Sequence, residues 1–126
     1  MRSVILVLAL WGCGGDETIS GHADPNALWV LENLDGSPFP ARATLRFPEA
    51  GTVAGDGPCN AFRGPQGVPY PWIDIGPLAA TRTACPALAA EGAFFAALEA
   101  MTLAEVAGDV LILSDDAGRE MVFRRE

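Results

Sequence analysis

Few residues in this chain are of types that do chemistry, and two short segments hold most of them. These are Gly57-Pro58-Cys59-Asn60-Ala61-Phe62-Arg63-Gly64 and Leu78-Ala79-Ala80-Thr81-Arg82-Thr83-Ala84-Cys85-Pro86. A cysteine works as a nucleophile only with a base and an orienting group in reach. The single histidine, His22, lies far upstream in a polar stretch and reads as a solvated side chain. One histidine and no C-x-x-C spacing supply no zinc-type ligand set. Asp115 and Asp116 fall in a turn, where aspartate is favoured for bonding its own backbone. Glu91 and Glu99 are read on the solvent side of a helix. No glycine-rich phosphate loop is present. The expectation is a protein without catalytic, cofactor or metal residues, hence not an enzyme.

The third cysteine gives the other two a structural reading. Arg2 supplies a positive start, and Val4 to Trp11 form an apolar run ending in Leu10-Trp11-Gly12-Cys13. Such a run is too short to span a bilayer, which needs about 20 residues, but it suits a signal-peptide core. A small residue before the cysteine fits a bacterial lipobox, in which Cys13 is acylated and becomes the mature N-terminus. Residues 1–12 are therefore expected as a lipoprotein-type signal peptide and 13–27 as a flexible polar tether. With Cys13 lipidated, Cys59 and Cys85 remain as a pair in an oxidising compartment. They are either a disulfide or two separate buried thiols. A disulfide closing about 27 residues would contribute roughly 3.5 kcal/mol on the chain-entropy model.

Those segments must be positioned by a β-rich domain. The chain has 126 residues and a net charge of −8, with 16 acidic against 8 basic side chains. That length suits one domain. The acidic balance disfavours nucleic acid, which requires a basic face, and electrostatic docking on anionic lipid. Trp29, Leu31 and Leu34 begin a strand ending at the Asp35-Gly36 turn. Ala43 to Phe47 alternates as a half-buried strand does, and Thr52 to Ala54 is a short third strand. From Cys59, alternation places Asn60 and Phe62 on one face and Ala61 and Arg63 on the other. Gly64 to Pro71, with three prolines, reads as a loop or ragged edge. Trp72 to Ile75 resumes as a strand that Leu78 to Thr81 continues. Pro86 opens a helix whose stripe of Phe94, Phe95, Leu98 and Met101 reads as a core face. Leu103 to Val106, Val110 to Ser114 and Glu120 to Arg124 finish the chain as strands. Many short strands with one helix predict a mainly β, β-rich α+β domain, curled or closed to limit its edges.

Together, Trp29-x-Leu31, Val53-Ala54-Gly55, Cys59-Asn60-x-Phe62-x-Gly64, Ile75-Gly76-Pro77-Leu78-Ala79-Ala80-Thr81-Arg82-x-x-Cys85, the helix and Leu111-x-Leu113 resemble the META domain family of HslJ-like heat-shock lipoproteins. The resemblance covers residues 28–126. It implies a small curled antiparallel β-barrel, lipocalin-like, with one packed helix, in the cell envelope and with a stress association. Ala61 stands where that family commonly has a larger residue.

The expected function is a lipid-anchored, non-catalytic envelope protein that binds a protein or other envelope component as a monomer. Its membrane contact is the lipid on Cys13 in the cell envelope, which means the outer membrane or periplasm if the cell is Gram-negative. Alternatives are a soluble carrier of a small apolar ligand in a barrel cavity, or a protease-inhibitor-like module using the proline-rich loop. The candidate binding surface is Asn60, Arg63, Arg82, Tyr70 and Trp72. For Asn60 the competing reading is a buried structural amide. For Arg82 it is an ion pair with Asp56 or Asp74, and for Trp72 a core position.

Overall fold

A computed structural model describes residues 15–126. The expected signal peptide and Cys13 lie outside the described residues. Nine strands follow in chain order: β1 (Trp29–Leu34), β2 (Ser37–Pro38), β3 (Thr44–Glu49), β4 (Gly51–Asp56), β5 (Ala61–Gln66), β6 (Ala79–Ala80), β7 (Leu103–Ala107), β8 (Val110–Ser114) and β9 (Glu120–Arg125). The helix α1 (Leu88–Ala100) lies between β6 and β7. The sheet is antiparallel throughout, in the order β6-β5-β4-β3-β1-β9-β8-β7, with β2 paired on β1. The domain is mainly β, as the alternation predicts.

Period-two burial builds the interior. Trp29 and Leu31 on β1, Leu45 and Phe47 on β3, Leu111 and Leu113 on β8, and Met121 and Phe123 on β9 are all buried, with exposed or half-buried residues between them. Phe94, Ala97, Leu98 and Met101 bring the helix onto this core, and Phe95 is partly buried against it. Phe62 meets Phe94 and Phe95 edge-on, with centroids 5.6 and 5.3 Å apart, a favoured aromatic geometry. Asp35 (φ 52°) and Gly36 (φ 83°) both take positive φ in the β1–β2 turn. Two positive values are what a tight hairpin needs to match strand twist.

The ladders do not close into a barrel; a connecting segment spans the gap. Pro71 to Gly76 touches both edge regions. Trp72 pairs with Leu103 of β7, and Ile75 pairs with Gln66 of β5. Ala104 N–H donates to the Pro71 carbonyl (2.7 Å), and Gly76 N–H to that of Pro65 (3.0 Å). The expected strand over Trp72 to Ile75 is thus reduced to these isolated pairs.

Three further expectations are corrected. β5 runs on through Gly64, Pro65 and Gln66 instead of ending in a loop. The Pro65 carbonyl faces Gly76, so its missing N–H lies on that side too and costs β4 no ladder bond. The helix starts at Leu88, with Pro86 in the turn ahead. The segment read as a tether is packed from Glu17 onward. Ile19, its one large apolar residue, is buried beside Ala23 and Ala27. A single 3-10 turn at Ile19–Gly21 holds it there, and Tyr70 N–H donates to the Glu17 carbonyl (2.7 Å). His22 stacks on Tyr70 with ring centroids 4.3 Å apart, so it is not simply solvated.

Candidate functional site

The two cysteine segments meet at one corner of the sheet. After β4 the chain turns through Gly57 and Pro58, and Gly57 N–H donates to the Asn60 carbonyl (2.8 Å). Cys59 is joined by a disulfide to Cys85, with Cα atoms 5.6 Å apart. The two thiols are therefore bonded to each other and are not nucleophiles.

Asn60 is the hub of this corner and is 5% exposed. Its Oδ1 accepts from Thr83 N–H (2.6 Å) and the Thr81 hydroxyl (2.9 Å). Its Nδ2 donates to the Thr83 carbonyl (2.9 Å) and to Glu91 Oε1 (2.7 Å). Both ends of the amide are used in full, which is how a buried amide avoids the cost of lost hydration. It ties the turn after β4 to the strand-like stretch leading to Cys85.

Glu91 completes the corner from the first turn of α1, and the sequence reading missed it. The side chain is buried, not on the solvent side. Its Oε2 accepts from Cys59 N–H (2.8 Å) and Asn60 N–H (2.6 Å). Burial pushes its carboxyl up, but the hydrogen bonds from Asn60 and Cys59 outweigh that and hold it below the ordinary 4.5. The result is an anchored carboxylate occupied by backbone donors. The legible signal was an acid in an otherwise apolar first helical turn; what it bonds, about 30 residues upstream, was not.

An open cleft of about 340 Å³ lies against this corner, lined by Asn60, Thr81, Arg82, Thr83, Leu88 and Glu91 among others. Arg82 is exposed and forms no ion pair with Asp56 or Asp74. Thr81 also lines a second cleft, of about 420 Å³, on the outer face of β3, β4, β5 and β6. Arg46 and Arg63 border that one. Arg63 and Arg82 are thus brought onto adjoining surfaces, with Asn60 buried at the base of the first cleft.

Tyr70 and Trp72 stand apart from them, at the edge of β7. The Tyr70 hydroxyl accepts from Val106 N–H (2.9 Å) and so covers an edge donor. Trp72 is 57% exposed, which corrects the core reading. Its main chain is held by Leu103 while its ring faces outward.

The META domain family profile matches residues 23–126. The chain belongs to the META domain family. An NMR structure of a protein from Burkholderia xenovorans is similar to this META domain at TM-score 0.65 and 24% identity, covering 85% of this chain and 86% of that one. A second NMR structure aligns at TM-score 0.63 and 19% identity, covering 82% and 92%. A DUF4847 family protein from Bacteroides vulgatus aligns at 0.54 and 15%, covering 65% and 57%. At these identities the likeness is one of fold. No curated protein matches the chain. Neither the META domain match nor the similar structures indicate a catalytic family.

Proposed function

We propose that this META domain protein is a lipid-anchored, non-catalytic binding module of the cell envelope. Acyl chains on Cys13 hold it to the membrane, and the folded domain acts as a monomer on a protein or envelope component, with a role under stress. The observation that carries this reading is a filled interior. Trp29, Phe47, Phe94, Phe123, Leu111 and Leu113 are each 0% exposed, so the core itself occupies the space where a carrier of this shape would hold a ligand. That favours an outside contact over the apolar-ligand alternative. Family membership supports the envelope and stress setting by resemblance.

The anchor is tested by fractionating cells that express the full chain or its Cys13→Ser variant, with mass spectrometry of the processed N-terminus. The expected result is a diacylated or triacylated Cys13 in the membrane fraction and loss of that form in the variant. A variant that remains membrane-bound and correctly processed overturns the anchor. Binding is tested separately by photocrosslinking in cells from positions 63 and 70. A reproducible adduct absent from an unrelated surface position, such as 116, supports the module reading; no adduct from either position opposes it.

A further inference from the structure

The basic side chains of this acidic protein are divided in a way that marks a surface. All eight are arginines, and seven lie among the described residues. Four of those seven are in ion pairs: Arg42 with Glu126 (3.1 Å), Arg119 with Asp35 (3.1 Å), Arg124 with Glu32 (3.2 Å) and Arg125 with Asp24 (2.5 Å). Arg46, Arg63 and Arg82 form none, although acids outnumber bases two to one. The same three border the two clefts that share Thr81.

Strand register sets their arrangement. Arg46 on β3 pairs across to Ala54 on β4, and Ala54 pairs across to Arg63 on β5, which pairs with Ala79 on β6. Two arginines therefore flank one alanine in a single cross-strand row, about 10 Å apart at the backbone. Ala54 is 1% exposed yet lies outside the core cluster, so it forms the covered floor between them. Ala61 and Ala79 extend that floor on the same face, while Ala80, opposite Phe62, turns toward the core. Asp56 is the one acid on the cleft wall.

We propose that this face binds an extended, carboxylate-rich segment of a partner protein, with Arg46 and Arg63 gripping acidic side chains over the alanine floor and Arg82 extending the track. Guanidinium is the group suited to fork onto carboxylates. The clefts are shallow and open, which suits a chain lying across them better than a small molecule that must be mostly enclosed. The chain's net charge of −8 repels every anionic partner at range, a short acidic segment less than densely charged nucleic acid or an anionic bilayer. Screening over about 8 Å in physiological salt leaves a local arginine contact intact. The proposal deepens the binding-module reading and rests on it only in assuming a protein partner.

The test uses the full chain in mild detergent and a fluorescent peptide alternating glutamate with alanine, against the same peptide with glutamine for glutamate. The expected result is binding of the glutamate peptide only, weakening as salt rises. Arg46→Gln with Arg63→Gln should weaken it by about fivefold or more, as two lost exposed charge contacts imply. Asp56→Asn should tighten it, a sign that mere loss of folding would not produce. Arg124→Gln removes the same charge from an existing ion pair and should leave binding unchanged. Equal binding of both peptides, an unaffected double arginine variant, or preference for phosphatidylglycerol vesicles over the peptide overturns the proposal. The Cys13 anchor and the crosslinking result stand or fall independently of it.

Discussion

Glu91 Oε2 lies 2.6 Å from the backbone nitrogen of Asn60, and its Oε1 lies 2.7 Å from the Asn60 amide. One carboxylate on α1 thereby holds both the main chain and the side chain of the residue beside the disulfide. Replacing it by glutamine keeps the shape but turns an N–H₂ group toward donors. Glu91→Gln should cost about 2–3 kcal/mol, the range for lost hydrogen bonds to a buried charge. Urea unfolding of the oxidised protein, comparing midpoints at equal slope, measures it.

Acid should undo the same contact. Glu91 titrates below 4.5 in the fold because Asn60 and Cys59 donate to its ionised form against the opposing effect of burial. A depressed carboxyl contributes stability that is present above its unfolded value and lost as pH falls through the folded one. Stability should therefore decline as pH drops below about 4.5, and Glu91→Gln should decline less steeply. Asp24 and Asp35, held low mainly by backbone donors at Asn26 and Glu120, act in the same direction and leave a residual slope. A variant whose pH profile runs parallel to the wild type would refute the assignment to Glu91.

Two glycines mark close approaches at this corner. A Cβ at Gly57 would lie 2.6 Å from Glu91 Oε2, and one at Gly55 would lie 2.1 Å from the Thr44 carbonyl oxygen. The first obstacle is a side chain and the second is backbone. Gly57→Ala should cost about 1–3 kcal/mol in the wild type and distinctly less in a Glu91→Ala background, as coupled neighbours do. Gly55→Ala should cost more and gain nothing from that background. A full set of thermal melts separates the two cases.

The disulfide should matter to stability and not to chemistry. Cys59→Ala with Cys85→Ala is expected to lower stability by about 2–5 kcal/mol. Finding Cys59 and Cys85 as free thiols by mass measurement of protein purified without reductant would contradict the bond itself.

Tyr70 should act as a cover for the edge of β7. Tyr70→Phe removes the acceptor of Val106 N–H while keeping the ring stacked on His22. A loss of about 1 kcal/mol is expected, with faster amide exchange at Val106 and little change elsewhere. Trp72→Ala, by contrast, should leave stability within about 0.5 kcal/mol, because its ring is mostly in solvent.

Much of this molecule was readable from local pattern alone. Alternation of period two marks β8 and β9 almost residue by residue, because each strand buries one face and the pleat enforces the rhythm. The same rule placed Asn60 and Phe62 on one face and Arg63 on the other, and the structure buries the first two. Cysteine count left Cys59 and Cys85 as either a disulfide or two separate thiols, which the structure joins, and the motifs around them resemble the family that the profile match shows. Other features depend on what the chain brings alongside a residue, and no local pattern carries that. Glu91 looked solvated until the Cys59–Asn60 turn supplied donors for its oxygens. Pro65 looked like a breaker until register put its missing N–H on the side away from β4. Ile19 was one apolar residue in a polar stretch, too little to predict docking, yet the domain offers it a buried seat. The arginines are identical in sequence. Only the tertiary arrangement decides that four find acids and that Arg46, Arg63 and Arg82 are left together facing solvent, because pairing is set by distance in space and not along the chain.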